Sequence, residues 1–333
     1  MSPANGPLGN NRPNYSYLSA AGGVIEDGIV IESRSAATLR LKVYAADAYT
    51  TPDGLLDLAP AAEPPSDAGA WISFGAPVAG AEWAPEASSA AGGGETATGA
   101  EAWPGQASVE VTIEPSGAVT VPLRWAVPAD AAPGDHAAGI VTSLIEDASA
   151  GAVQVDRRLA LRAYVNVSGE LTPGLTISDL RVEAEPSANP FASGTITVSY
   201  RLTNTGSARL VATERIAVAG PFGWGGRDGG AGEVLPEILP GSFLSRQVTV
   251  AGVFPLFRTT ATVMADAVAV GLGAEGAPAS AERAATVWTV PWLWLGLALV
   301  ALSGAVWLPV RRARRAASAD GGKTGLTEAP PAP

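Results

Sequence analysis

From Val287 to Val310 the chain reads VWTVPWLWLGLALVALSGAVWLPV, 24 residues without one charge. As a helix this stretch would be about 36 Å long, enough to cross a hydrocarbon core of about 30 Å. Trp288, Trp292 and Trp294 stand at one end and Trp307 at the other, as the aromatic belts of membrane spans do. Arg311, Arg312, Arg314 and Arg315 follow at once. Arginines beside a span stay on the cytoplasmic side, so the body before Val287 is expected outside the cell. Residues 311–333 are expected to form a basic, disordered tail inside it. The competing reading, a buried core helix, would have to be apolar all round and end in four arginines. Export calls for a secretory leader, yet MSPANGPLGNNRPNY has neither a basic start nor an apolar run. A leader missing from the given start is therefore expected, with residues 1–12 disordered.

Upstream of that stretch the period changes. In TLRLKVY, Leu39, Leu41 and Val43 alternate with Arg40, Lys42 and Tyr44, which marks a strand with one buried face. Comparable runs recur at 28–33, 107–115, 118–127, 138–146 and 153–167. A second set covers 175–185, 194–204, 208–220, 245–253 and 258–268. Turn residues separate them at the spacing of β-sandwiches. The expected fold is all-β, with two tandem Ig-like β-sandwiches at 13–168 and 175–275. Linkers are expected at 169–174 and 276–286, followed by a single C-terminal transmembrane helix at 287–310. Residues 75–106, rich in Gly, Ala, Ser and Pro and without period, are expected to be a flexible insert in the first sandwich. Trp83 and Trp103 in that insert, and Trp224 in the Gly-rich loop GPFGWGGRDGG (220–230), are candidate ligand-binding aromatics. The other reading of these rings is that they fold back over the sandwich.

Composition removes several function classes. The chain has no cysteine and one histidine, His136, so disulfides, thiolate chemistry and zinc or copper sites are not expected. No D-x-[DN]-x-[DN]-G loop is present, and neither metal nor cofactor is expected. Net charge is −11; residues 311–333 carry +3, leaving −14 for the rest. An acidic body without a basic stripe argues against nucleic acid, because phosphate contacts need clustered Arg or Lys. The loop at 220–230 lacks the G-x-x-x-x-G-K-[ST] pattern of a phosphate cradle. Glu183 and Glu185 share one strand face, the usual place for solvated charge.

His136 stands in VPADAAPGDHAAGI (127–140). Pro133 and Gly134 suit the centre of a type II turn, Pro fixing φ and Gly accepting φ > 0. His136 then opens a strand, where sandwiches place an aromatic that bonds back to upstream backbone. A catalytic histidine needs a nucleophile and an orienting acid; there is no G-x-S-x-G. Pro133, Gly134 and His136 are therefore read as a structural turn, with no catalytic residue and no enzyme activity expected.

VPADAAPGDHAAGI, AYTTPDGLLDL (48–58), VSYRLTNTGSARL (198–210), LPEILPGSF (235–243) and the terminal span with its arginines resemble the WxL-interacting proteins of Gram-positive cell surfaces. The likeness spreads over most of residues 13–315. It implies a leader peptide, a first sandwich that binds peptidoglycan, a second that contacts surface proteins of the WxL type, and a membrane anchor. The missing leader and the 75–106 insert depart from that pattern, so no ligand residue is carried over. The alternative function is an accessory or catalytic subunit of a secreted glycan-acting enzyme. Glu114 and Asp135 would be its acids, and they would have to face each other about 5–10 Å apart.

Overall fold

The structure, a computed structural model, describes residues 1–80, 105–145, 157–185, 192–254, 257–273, 277–290 and 292–320. The first sandwich contains β1 (Ser2–Pro3), β2 (Tyr15–Ser19), β3 (Val24–Glu32), β4 (Leu39–Thr50), β5 (Leu56–Leu58) and β6 (Ile72–Phe74). It continues with β7 (Val78–Ala79), β8 (Ser108–Ile113), β9 (Ala118–Ala126), β10 (Gly134–Leu144) and β11 (Arg158–Val167). One sheet runs β1-β3-β9-β6, with β7 also on β9; the other runs β2-β11-β10-β4-β5, with β8 on β4. Alternation builds both faces. Val119, Val121, Leu123 and Trp125 of β9 are buried in a core with Tyr15, Ile29, Phe74 and Val43. The indole N–H of Trp125 is satisfied by the Ala68 carbonyl at 3.2 Å. Pro122 sits inside β9, and its missing N–H falls where β6 has ended and β7 has not begun, so no ladder bond is lost.

The second sandwich comprises β12 (Leu175–Glu185), β13 (Gly194–Asn204), β14 (Arg209–Ala219), β15 (Arg227–Val234), β16 (Phe243–Val253), β17 (Phe257–Val270) and β18 (Pro278–Thr289). Its sheets run β12-β13-β16 and β15-β14-β17-β18. Arg283 on β18 donates to the Ile177 carbonyl at 3.0 Å and ties the two sheets at that corner.

Each sandwich buries a carboxylate against a tyrosine and an arginine. Asp27 on β3 accepts from the Arg12 guanidinium at 2.6 and 2.9 Å and from the Tyr17 hydroxyl at 2.5 Å. Glu214 on β14 is fully buried; it accepts from the Tyr200 hydroxyl and from Arg246, both on the facing sheet. Burial, reinforced by the neighbouring carboxylate, holds the Tyr17 and Tyr200 phenols well above their ordinary range. Both hydroxyls therefore stay protonated and donate.

Four boundaries differ from the sequence reading. Residues 1–12 are not disordered: β1 pairs with β3, Ala4 is buried, and Arg12 grips both Asp27 and the Ala4 carbonyl. The expected linker 276–286 is mostly β18, an edge strand paired with β17 along its whole length. That strand takes Val287 to Thr289 away from the helix, so α1 begins at Trp292 and runs to Asp320. Its uncharged part, Trp292–Val310, is about 28 Å long, close to the thickness of a hydrocarbon core. The four arginines lie in the last turns of α1 rather than in a disordered tail. Finally, the 169–174 connection is clamped. Thr172 bonds with Ser207 in both directions (3.1 and 2.9 Å), and Thr205 donates to the Gly174 carbonyl.

Candidate functional site

His136 lies near the start of β10, beside a 3₁₀ turn at Ala68–Trp71. Asp47 of β4 fixes that turn by accepting the backbone N–H groups of Ser66, Asp67 and Gly69 at 2.6, 3.0 and 2.8 Å. The turn in turn presents Asp67, whose Oδ1 is 2.8 Å from His136 Nδ1. Nε2 lies 2.9 Å from the Ala132 carbonyl, four residues upstream, and Trp71 packs on the ring at 4.6 Å. Carboxylate and carbonyl can only accept, so both ring nitrogens must donate. Burial opposes the resulting charge. The Asp67 and Ala132 hydrogen bonds, with the charges of Asp67 and Asp135, outweigh it and raise the His136 pKa. An imidazolium with both protons committed is a structural tie and a poor general base.

The turn itself is displaced from the expected position. Its closing bond runs from the Ala131 N–H to the Pro128 carbonyl at 3.2 Å. Pro133 packs over Gly169, and Gly134, at φ +135, already belongs to β10. The Asp135 N–H that a Pro133–Gly134 turn would have used goes to Ser207 in the second sandwich, at 2.7 Å. A Cβ on Gly134 would sit 2.3 Å from the Ser207 carbonyl oxygen. Glycine is there for a close approach between domains.

Around that contact the two sandwiches lock together. Asp135, almost fully buried, accepts the Arg209 backbone N–H at 2.8 Å and the Asn166 amide at 3.1 Å. The Arg209 guanidinium lies 4.1 Å over the Tyr164 ring and donates to Glu237 at 2.9 Å. Thr50 donates to the Glu237 carbonyl and receives the Leu239 N–H, while Ser245 donates to the Pro52 carbonyl at 2.8 Å. A cavity of about 220 Å³ remains beside His136, Ser207 and Leu239, small for an organic ligand.

A larger cleft, about 400 Å³, opens beside β4. The pairing of β4 with β8 ends at Tyr44 and that with β5 begins at Ala48. The gap between them is walled by Pro60, Pro64 and Pro65 and lined by Lys42, Tyr44, Glu63 and Ser108. The Tyr44 hydroxyl is shielded from solvent and has no hydrogen-bond partner among the described residues. Lys42 Nζ stands 5.9 Å from the Tyr44 ring. One cation, one anion, hydroxyls and an aromatic ring suit a polar ligand rich in hydroxyl or amide groups, and the volume is in the range of ligand sites.

Of the aromatics singled out in the sequence, Trp83 and Trp103 lie outside the described residues. Trp224 is 66% exposed and pairs with Phe222 at 6.0 Å. It follows the end of β14, whereas Arg209 and the domain junction are at its start, so Trp224 is remote from the cleft. Glu114 and Asp135 do not form an acid pair. Extending the β8–β4 and β10–β4 registers puts them opposite Thr38 and Thr50, roughly 40 Å apart along β4 at about 3.3 Å per residue. Arg311 stacks at 4.6 Å on Trp307 and is exposed, as is Arg312; Arg314 and Arg315 follow in the same helix.

No known family matches the chain, and no curated protein does. Solved structures resemble it distantly. A chaperone–tip adhesin complex of CFA/I fimbriae aligns at 8% identity and TM-score 0.33, over 83% of this chain and 96% of that one. The class 5 fimbriae chaperone CfaA aligns at 10% and 0.32, with the same coverage. The Pseudomonas aeruginosa CupB2 chaperone aligns at 8% and 0.28, over 83% and 98%. Similarity at this level transfers no site, partner or activity.

Proposed function

We propose that this chain is a non-enzymatic envelope protein, anchored by α1 as a single span, that holds cell-wall glycan or surface-protein partners close to the membrane. The observation that carries the reading is the C-terminal architecture. Two interlocked sandwiches end at Thr289, and an apolar helix begins at Trp292, its stretch Leu295–Arg312 uncovered by any of the described residues. The positive-inside rule then puts the sandwiches outside the cell and Arg311–Arg315 inside. Commitment of both His136 nitrogens supports a binding rather than a catalytic role. The cleft at Tyr44 offers the first sandwich a site for peptidoglycan, in keeping with the resemblance to WxL-interacting proteins, and the second sandwich remains for WxL-type surface proteins.

The test is co-sedimentation of the full chain, in mild detergent, with purified cell-wall sacculi. Ser108→Trp should fill the cleft and lower binding several-fold while the melting profile stays unchanged. Because the body is acidic, binding should survive moderate salt rather than collapse as a basic patch would. Equal binding by Ser108→Trp would remove the cleft from the site; absence of sacculus binding would overturn the glycan reading.

A further inference from the structure

We infer that the helix-proximal end of the second sandwich is a lipid-docking surface, seated in the headgroup region of the bilayer that α1 crosses. The inference rests on the anchor reading and adds a second, independent contact to it.

The two ends of this sandwich are built differently. At one end, Arg209, Ser207 and Leu239 meet the first sandwich. At the other, β14 ends at Ala219, β16 ends at Val253, β17 begins at Phe257 and β18 ends at Thr289. Register brings these together: Ala219 pairs with Thr260, Phe257 with Thr289, and Arg258 with Trp288. Phe222 is 93% exposed, Trp224 66%, Phe254 47%, Phe257 49% and Trp288 72%. Among the described residues preceding α1, the only other strongly exposed aromatic is Tyr49. Five of six therefore cluster on this one end, which random surface exposure does not produce.

Two of the five are held out at a conformational cost. Phe222 has φ 59 and Phe257 φ 67, left-handed backbone that bulky side chains rarely adopt. Strain of this kind persists only where the surrounding structure imposes it, and it is frequent at functional surfaces. Charge points the same way. From Ala219 to Arg227, Val253 to Thr260 and Thr286 to Pro291, the only charged residues are Arg227 and Arg258. An otherwise acidic body thus presents here aromatics and two cations, the composition of an interface with anionic headgroups.

Chain length fixes the occupant. Only Val290 and Pro291 separate Thr289 from Trp292. Three Cα steps of about 3.8 Å allow at most about 11 Å between them. A headgroup layer is roughly 5–8 Å thick on each side of the hydrocarbon core. Once Trp292 is at the edge of that core, Phe257, one strand away from Thr289, cannot be far from the headgroups.

The chain has no cysteine, so single cysteines can be placed and spin-labelled in the full-length protein. We choose Phe222→Cys, Trp224→Cys and Phe257→Cys on the docking end, Leu272→Cys at the opposite end of the same sandwich, and Leu302→Cys within α1. After reconstitution into phosphatidylethanolamine–phosphatidylglycerol vesicles, collision with oxygen and with a water-soluble nickel chelate reports depth. Labels at 222, 224 and 257 should be several-fold less accessible to nickel than the label at 272, and the label at 302 should be deepest. In the Phe257→Cys protein, Phe222→Ser with Trp224→Ser should return the label toward water. If 222, 224 and 257 are as wet as 272 while 302 is deep, the docking surface is wrong and the anchor stands. If 302 is wet as well, the anchor reading fails and docking with it.

Discussion

Asp27 and Glu214 are the same chemical device used for two purposes. Each is a buried carboxylate fed by a tyrosine hydroxyl and an arginine. In the first sandwich the arginine comes from outside the sheets: Arg12 precedes β2, and its grip on Asp27 and the Ala4 carbonyl fastens the N-terminal arm against β3. In the second, all three groups sit on strands, Glu214 on one sheet and Tyr200 and Arg246 on the other, with the half-exposed Glu233 as an outer partner of Arg246. Both networks join two sheets, the first through Tyr17 on β2 and Asp27 on β3, but only the first also closes an arm. A buried ion pair is costly to break from one side whichever job it does, so the difference lies in what comes apart.

The largest expected effect is at Glu214. Glu214→Ala strips the Tyr200 hydroxyl of its acceptor and leaves Arg246 with only the outer Glu233, and should cost about 3–5 kcal/mol in urea unfolding. Replacing the trio together, as Glu214→Met, Tyr200→Phe and Arg246→Leu, should recover most of that loss; no recovery would mean the network does more than neutralise itself. Arg12→Ala comes next, at about 1–3 kcal/mol, because Asp27 keeps Tyr17 and the Gly28 N–H. Its signature is early proteolysis before Arg12 while the sandwich core stays resistant. Global unfolding at the same urea as Glu214→Ala would erase the distinction between arm and rivet. Gly134→Ala tests a third kind of closure, between domains. The clash with Ser207 should cost about 1–3 kcal/mol of strain and quicken amide exchange at Asp135 and Ser207 without touching either core.

The smallest effect is the pH dependence of His136. Its folded pKa is raised above the unfolded value of about 6.5. The Asp67–His136 tie therefore contributes its full stability below that value and loses it as pH rises through the raised folded pKa. Wild type should lose more stability than His136→Gln as pH rises from the unfolded value of about 6.5 through the raised folded one. Identical slopes would mean the histidine is neutral in the native state.

Most strands were legible because apolar residues alternate. The rivets left a signal that the strand reading passed over. In RLVATERIAVA, Glu214 occupies the same phase as the buried Leu210, Ala212, Ile216 and Val218. Asp27 likewise shares the phase of Ile29 and Ile31. An acid in the inward phase of a strand announces a buried partner. The helix start was not legible, because VWTV is equally apolar as edge strand or as span, and only pairing with β17 decides it. The cleft is invisible for a related reason. It exists because β8 stops and β5 starts with three unpaired residues of β4 between them on that side, a fact of long-range register. The role of Gly134 belongs to the same class: the sequence PGD reads as a turn until Ser207, 73 positions on, arrives at its side.

Val290 and Pro291, the short run between β18 and α1, have a mechanical consequence. A flexible stalk of n residues wanders over about 5–6 Å × √n and lets its cargo search a wide shell. Two residues allow no such search. On the proposed anchor reading, whatever the sandwiches capture is held at one height above the lipid, and neighbouring copies hold their cargo in a common plane. Encounters within that plane then depend on lateral diffusion in two dimensions, which raises the effective concentration of captured partners for one another without any change in intrinsic affinity.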